Sequence, residues 1–164
     1  MTRAGALPAI AAGLVAALFA SAAEAQLAVQ NSKEPIDITG DRLEVENEVA
    51  TWAGHVRAVQ GEAILTADRL VADLDKDGTF KKIHALGTVR YSNGKEAITG
   101  DKGVFDDKTR TIVVTGNVVV TQGEQIMTGG ELTYWVDTGK IVFTAPAGRR
   151  IRGVFHPKQG AGNS

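Results

Sequence analysis

The sequence predicts an all-β protein, a V-shaped stack of antiparallel strands built from short internal repeats. The first observation is a sequence repeat with three copies, which start at Gly54-His55-Val56, Gly87-Thr88-Val89 and Gly116-Asn117-Val118. In each copy a second glycine follows the first by seven positions, and a Thr-(Gly/Ala)-(Asp/Gly) step comes soon after. A fragment of a fourth copy precedes them at Ile38-Thr39-Gly40-Asp41. Units of this length cannot bury an apolar face alone, so they stack on their neighbours.

The second observation is a period-two alternation of apolar and polar residues around each first glycine. One face of each predicted strand is apolar, with these members: Ala50, Trp52, Val56, Ala58; Ile83, Ala85, Val89, Tyr91; Ile112, Val114, Val118, Val120. The other face is polar and carries His55, Arg57, Thr88, Arg90, Thr115 and Asn117. Residues two apart lie on one side of a strand. A glycine within an apolar face marks a bend or a close approach, so we interpret it as a crease whose two halves line a V.

Polar segments between the units predict the turns that join the strands. They are Glu46-Asn47-Glu48, Asp75-Lys76-Asp77-Gly78, Asp106-Asp107-Lys108 and Asp137-Thr138-Gly139-Lys140. The Thr-Gly-Asp step shifts the alternation between Ile98 and Phe105, which predicts a bulge or corner there.

The two ends of the chain are predicted to lie outside the fold. Residues 1–25 have the pattern of a cleavable signal peptide: Arg3, the apolar stretch Leu7 to Phe19, and Ala23-Glu24-Ala25 before a cleavage site after Ala25. Residues 26–157 then form one exported domain. The Gly-rich residues 158–164 are expected to be a disordered tail.

Composition argues against several classes of function. The formal net charge of −1 argues against a nucleic-acid binder. The chain has no cysteine, which excludes a disulfide scaffold, thiol catalysis and Cys-ligated zinc. Three scattered histidines offer little for a metal site, and serine is sparse after the signal peptide, so no catalytic triad can be assembled. We therefore expect no enzyme, no catalytic residue, no metal and no cofactor.

Two charged segments can each be interpreted in two ways. Asp73-Leu74-Asp75-Lys76-Asp77-Gly78 matches the opening of a calcium loop, but its twelfth position is His84 instead of the bidentate Glu; an acidic turn is favoured and calcium stays open. Arg149-Arg150-Ile151-Arg152 either keeps an edge strand soluble or contacts phosphates or an acidic partner.

The apolar face raises the question of whether it is a groove or a core. Small residues such as Ala50, Ala58, Ala72 and Ala85 leave room for something long and apolar. The alternative is a structural stacked-β scaffold or filament protein, with no lipid ligand, whose apolar face is plain core.

Several motifs, taken in order, resemble the periplasmic lipopolysaccharide-transport protein A family, the OstA-like domain. They are Pro35-Ile36-Asp37-Ile38, Gly54-His55-Val56-Arg57-Ala58-Val59-Gln60-Gly61, Thr66-Ala67-Asp68-Arg69-Leu70, Thr115-Gly116-Asn117-Val118 with Gln122, and Arg149-Arg150-Ile151-Arg152-Gly153-Val154-Phe155-His156-Pro157. They span nearly the whole exported domain.

The resemblance implies an open, twisted β-jelly roll in the periplasm that carries lipopolysaccharide from the inner to the outer membrane. The implied partners are lipopolysaccharide, through its lipid A, and the inner-membrane anchored and outer-membrane components that share the fold. Acyl chains would lie in a groove lined by Ile36, Ile38, Trp52, Val56, Ile83, Val89, Tyr91, Phe105, Ile112, Val114, Val118, Val120, Leu132, Tyr134, Ile141 and Phe143.

Alternating strands at both termini predict a head-to-tail homo-oligomer. The end with Pro35, Ile36, Asp37 and Ile38 would pair with the end of the next copy that carries Ile151, Gly153, Val154 and Phe155. Such a contact joins two different surfaces and builds an open filament.

Overall fold

The computed structural model describes residues 34–135 and 137–156, so the predicted signal peptide and the predicted tail lie outside the described residues. All regular structure in these ranges is β-strand. The ten strands are β1 (Asp37–Thr39), β2 (Arg42–Glu46), β3 (Val49–Gln60), β4 (Ala63–Leu74), β5 (Phe80–Ser92), β6 (Glu96–Asp106), β7 (Thr111–Gln122), β8 (Gln125–Trp135), β9 (Ile141–Thr144) and β10 (Arg152–Val154). They form one antiparallel sheet, as predicted.

The sheet consists of eight bent strands, of which the first and the last are broken. Strands β3 to β8 are continuous, and each pairs with the next. Strand β1 pairs with the second half of β3, and β2 pairs with its first half. At the other edge, β10 and β9 pair in the same way with the two halves of β8. Strands β1 and β2 therefore act together as one bent strand, and so do β9 and β10.

Every long strand pair changes register at the same level of the sheet. The shifts fall at Ala53/Val56, Thr66/Arg69, Leu86/Val89, Thr99/Lys102 and Thr115/Val118. In alternate strands this level is marked by Gly54, Gly87 and Gly116, with φ of 77°, 73° and 80°. Residues with a Cβ rarely adopt such angles. The predicted creases are therefore confirmed, and so is the bulge between Ile98 and Phe105.

The creases divide the sheet into two arms. The first arm contains β1, β10 and residues 56–60, 63–66, 89–92, 96–99, 118–122 and 125–128. The second arm contains β2, β9 and residues 49–53, 69–74, 80–86, 102–106, 111–115 and 131–135.

Side chains from the two arms pack against each other across the crease. Val56 of the first arm clusters with Leu70 and Ala72 of the second. In a larger cluster, Val118 packs with Leu132 and Tyr134. The predicted apolar faces are buried or half-buried throughout. On the predicted polar face His55, Arg57, Thr88, Arg90 and Asn117 are exposed, and Thr115 is half-buried. The predicted alternation is confirmed, and the core lies inside the V.

Candidate functional site

An apolar cavity of about 200 Å³ lies between the two arms. Both arms contribute to its wall: Ile36, Ile38, Ala58, Val59, Gln60, Ala63, Leu65, Tyr91, Val89 and Ile98 come from the first, and Leu70, Phe80, Ile83, Ala85, Gly103, Val104, Phe105, Ile112 and Val114 from the second. Only Gln60 and Tyr91 among these bring polar side-chain atoms. The cavity is therefore suited to an apolar ligand.

The structure divides the predicted groove residues into two groups. Those that line the cavity are Ile36, Ile38, Ile83, Val89, Tyr91, Phe105, Ile112 and Val114. The others lie outside it. Trp52 and Val56 belong to the packed cluster around Leu70, and Val118, Val120, Leu132, Tyr134 and Phe143 to the cluster around Tyr134. Ile141 lies on the edge strand β9 and is exposed. The groove is thus filled toward β8, where large side chains meet.

Several residues of the cavity wall were not among the predicted groove residues, because the prediction relied on the alternation around the repeated glycines. Leu65, Leu70 and Phe80 line the cavity from β4 and β5, and Ile98 lines it from β6. Strand β4 carried a usable signal, since Ala63, Leu65 and Ala67 alternate before the crease and Leu70 and Ala72 alternate after it. Extending the period-two analysis to the strands between the glycines would have found them.

Both ends of the V expose apolar side chains. On β2, Leu43 is 55% and Val45 63% exposed. They pair with Trp52 and Ala50, so they face the inside of the V. At the opposite edge Phe155 is 61% exposed, and Ile141 and Ile151 are exposed as well. The apolar inner face therefore continues to both edges of the sheet.

The predicted pairing residues lie on those edges. Asp37 and Ile38 belong to β1, directly after Pro35 and Ile36, and each has a partner in β3. Gly153 and Val154 belong to β10 and pair with β8, between Ile151 and Phe155. Within the described ranges, β1 and β10 each pair with a strand on one side only. Their outer edges carry the backbone groups that a further strand would use.

One hydrogen bond ties the start of the fold to the cavity mouth. The Gln60 side-chain Nε2 donates to the backbone carbonyl of Glu34 at 2.9 Å. This bond holds the segment before β1 near the position where Ile36 enters the wall.

A row of carboxylates follows the creases on the outside of the V. Asp41, Asp68 and Asp101 each lie beside one crease glycine, and all three are exposed. Asp41 Oδ2 lies 2.7 Å from His55 Nδ1, and Asn117 Nδ2 donates to Asp101 Oδ2 at 3.1 Å. The hydrogen bond and the charge of Asp41 raise the pKa of His55 above its ordinary value of 6.5, with a smaller contribution from Asp68.

The strand ends of the second arm carry ion pairs. Lys82 Nζ lies 2.9 Å from Asp106 Oδ2, and this contact lowers the pKa of Asp106 and raises that of Lys82. Arg110 reaches Asp107 at 3.1 Å and Asp137 at 3.2 Å. This rim of the V, at the strand ends of the second arm, is therefore polar, while the interior of the V is apolar.

The two ambiguous charged segments lie on the surface. Asp75 Oδ1 accepts a hydrogen bond from the Lys76 amide at 2.7 Å, and Asp77 Oδ1 accepts one from the Thr79 amide at 3.1 Å. The bonds from Thr79 lower the pKa of Asp77. Both carboxylates thus stabilise their own turn. Residues Arg149 and Arg150 are exposed in the loop between β9 and β10.

Residues 34–135 and 137–156 lack two kinds of feature. They contain no group of three or more His, Cys, Asp or Glu side chains placed to hold a metal ion. They also contain no helix of the length and apolarity that crossing a membrane would need.

The family described as LptA/(LptD N-terminal domain) LPS transport protein matches residues 36–140, well over half of the chain. The chain belongs to this family. An uncharacterized protein of Rhizobium meliloti (strain 1021) is 31% identical over 156 residues, covering 84% of each chain. The lipopolysaccharide export system protein LptA of Escherichia coli (strain K12) is 25% identical over 155 residues, covering 89% of this chain and 84% of that protein.

A solved structure shares the fold of this member of the LptA/LptD N-terminal family. It is LptH of Pseudomonas aeruginosa, described as the LptA-homologous periplasmic component of the conserved lipopolysaccharide transport device. The TM-score is 0.65 at 20% identity, and the match covers 77% of this chain and 98% of that one. The predicted open β-jelly roll is thereby confirmed.

Proposed function

We propose that this protein is a non-enzymatic periplasmic carrier that holds the acyl chains of lipopolysaccharide between its arms. The carrier forms part of a bridge from the inner to the outer membrane. The apolar cavity that both arms enclose is the observation that carries the proposal. Membership of a lipopolysaccharide transport family supports it.

The physical need for such a cavity lies in the acyl chains. Exposing a chain of about a dozen methylenes to water costs roughly 10 kcal/mol, at ~0.8 kcal/mol for each methylene. The cavity wall offers apolar contacts to such a chain, while the ion-paired rim at Lys82 and Arg110 lies where sugars and phosphates would stay hydrated. Transfer of this kind makes and breaks no bond.

The volume of the cavity limits what it holds in this state. Its 200 Å³ exceeds the ~150 Å³ of an engineered protein cavity that binds benzene. It falls below the ~300–1,000 Å³ of pockets for drug-sized ligands. Part of one acyl chain fits, so a lipid with several chains requires the arms to separate.

Location and partners follow from the same proposal. The predicted signal peptide would export the chain, and LptH, which shares the fold, is described as a periplasmic component. The partners would be lipopolysaccharide and the membrane-bound members of the transport machinery that carry the same kind of sheet edge.

Site-specific photocrosslinking in cells tests the carrier role. A photoreactive residue at Ile112 or Tyr91 lies in the cavity wall, whereas Arg90 is the outward-facing neighbour of Tyr91 and serves as the matched control. Val118 is fully buried in the packed cluster and is therefore a poorer site. We expect lipopolysaccharide adducts at Ile112 and Tyr91 and none at Arg90. Absence of adducts at all three positions in exported, folded protein would favour the scaffold interpretation.

Head-to-tail assembly is the second part of the proposal. Eight bent strands give the first and the last strand opposite directions, so a following copy continues the antiparallel order. The arms also match, since β10 would meet β1 and β9 would meet β2 of the next copy. The second contact would cover Leu43 and Val45 with Ile141, which joins the apolar inner faces of two copies.

Truncation tests this assembly. Ending the chain after Arg149 removes β10, and we expect concentration-dependent oligomers to disappear in light scattering. Ending it after Pro157 removes only residues 158–164 and is the matched control. Val45→Asp at the opposite edge should have the same effect as losing β10, because it places a charge in the apolar contact. Oligomers that persist in both variants would contradict head-to-tail pairing.

A further inference from the structure

The crease aspartates occupy one repeated position in the fold. At Gly54, Gly87 and Gly116, the space in which a side chain would begin is filled by Oδ2 of Asp41, Asp68 and Asp101, respectively. Each aspartate comes from the bent strand that precedes the glycine in the sheet. The same contact thus recurs in three independent copies, which argues against a chance surface arrangement.

The fourth copy of the repeat has no aspartate at this position. Strand β8 carries Gly129-Gly130 at this level, where the repeat would place an aspartate. A Cβ on Gly130 would lie 2.8 Å from the backbone nitrogen of Pro146, in the loop after β9. The roles are therefore exchanged at this crease: glycine stands at the aspartate position, and Pro146 of the following segment occupies the space that a side chain there would need.

The residue after each crease glycine is also held in an unfavourable conformation. His55, Thr88 and Asn117 have φ of 47°, 44° and 48°, in the left-handed region that side chains disfavour. Such conformations persist where surrounding groups determine them. His55 is bound by Asp41 and Asn117 by Asp101, so one aspartate holds both crease residues in these two copies.

We infer that Asp41, Asp68 and Asp101 are positioning residues that fix the angle between the two arms and thereby the width of the cavity. The creases form the apex of the V, and the cavity wall takes residues from both arms. A change in the angle between the arms must therefore bend the strands at this level, and it changes the width of the cavity between them. The part of this inference that concerns lipid rests on the proposed function. The angle between the arms does not, because it is a property of the protein without ligand.

Distance measurement between spin labels tests the angle directly. The chain has no cysteine, so Lys95→Cys and Lys108→Cys place unique labels in the turns at the two ends of β6. Each half of this strand is about 17 Å long, so a change of roughly ten degrees at the crease moves the ends by about 2–3 Å. We expect a narrow distance distribution in the otherwise unchanged protein and one broader by about 2–3 Å in Asp101→Ala.

Two variants separate this role from a general effect of charge. Asp101→Asn keeps the volume of the side chain and an oxygen for Asn117 Nδ2, so it should keep the narrow distribution. Glu62→Gln removes an exposed charge in the turn between β3 and β4 and should also change nothing. Equal distributions in Asp101→Ala and Glu62→Gln would overturn the inference. Loss of folding in the alanine variants of all three aspartates would also overturn it, since the aspartates would then determine folding and not the angle.

Binding of a fluorescent twelve-carbon fatty acid tests the consequence for the cavity. Asp68 contacts the crease glycine of β5, the strand that contributes five residues to the cavity wall. If fewer molecules have the angle between the arms that binds the fatty acid, the apparent dissociation constant rises in proportion. We expect a rise of about threefold to tenfold in Asp68→Ala. An unchanged constant would overturn the inference. Absence of binding to the unaltered protein would contradict the carrier role alone, because the distance measurement needs no ligand.

Discussion

Two regions of this sheet share one repeat, yet one encloses a cavity and the other is filled. Around the cavity the inner face carries small residues, among them Ala58, Ala63 and Ala85. The filled region is defined by the cluster of Val118, Leu132 and Tyr134. Two positions of the repeat carry larger side chains there: Val120 corresponds to Ala58 of the cavity wall, and Leu132 corresponds to Gly103. Crease glycines and hairpins recur in both regions. The backbone repeat therefore sets the V, and side-chain volume decides where the V stays open, because protein interiors otherwise pack without voids.

The largest expected difference between the regions comes from one substitution made in each. Leu132→Ala removes a side chain that is 1% exposed in the filled region, so we expect a loss of about 2–5 kcal/mol in the free energy of unfolding. Leu65→Ala removes the same atoms at the cavity wall, where fewer atoms surround them. Its expected loss is about 1–2 kcal/mol, close to the transfer term alone. Urea denaturation measures both, and equal losses would contradict the distinction between the regions.

The two regions should also differ in their response to an added methyl group, which two glycines allow us to test. A methyl group on Gly103 would meet Val89 and Ala85 at 3.5 and 3.8 Å, which are ordinary contacts in the cavity wall. On Gly129 it would lie 2.8 Å from the Phe143 ring in the filled region. Neither position requires a positive φ. We therefore expect Gly103→Ala to stabilise the protein by about 0.4–1 kcal/mol, through the unfolded chain, and Gly129→Ala to destabilise it by about 1–3 kcal/mol.

Thermal and urea unfolding of the two alanine variants give the signs. The fatty-acid assay adds a second readout, because a methyl group at Gly103 projects into the cavity whereas one at Gly129 does not. Destabilisation by Gly103→Ala would mean that the cavity wall has no space for a methyl group.

The sequence predicts the creases and the inner face well, because both depend on local rules. Gly54, Gly87 and Gly116 interrupt an apolar alternation, and that pattern identifies the bend without knowledge of the partner strands. The extent of the cavity was not predictable in this way. Tyr134 was expected to line the groove with Ile112, but it meets the packed side chains of the opposite arm and fills its part of the V.

Contacts between neighbouring repeats could not be predicted from the sequence either. The Thr-Gly-Asp step was recognised as repeated, yet its function depends on which residue lies beside it in the next strand. Only the register of the sheet brings Asp68 to Gly87 and Asp101 to Gly116. The inward direction of Leu43 likewise follows from its pairing with Trp52.

The smallest expected effect separates the first crease from the third by pH. Both have an aspartate bound to the residue after the glycine, but His55 titrates and Asn117 does not. Because Asp41 raises the pKa of His55, the folded protein binds this proton more tightly than the unfolded chain does. The stabilisation is complete below the ordinary value of 6.5 and is lost as the pH rises through the higher pKa of the folded state.

His55→Asn gives the first crease the side chain of the third and serves to isolate this effect. We expect the urea midpoint of the unaltered protein to exceed that of His55→Asn at pH 5.5 by more than it does at pH 8. Contributions from groups that do not contact residue 55 are common to both proteins and cancel in this difference. The side chains of His55 and Asp41 are 91% and 64% exposed, so the effect is small. A difference that stays constant or grows with pH would show that the Asp41–His55 contact does not depend on the imidazolium charge, and that the two creases are held in the same way.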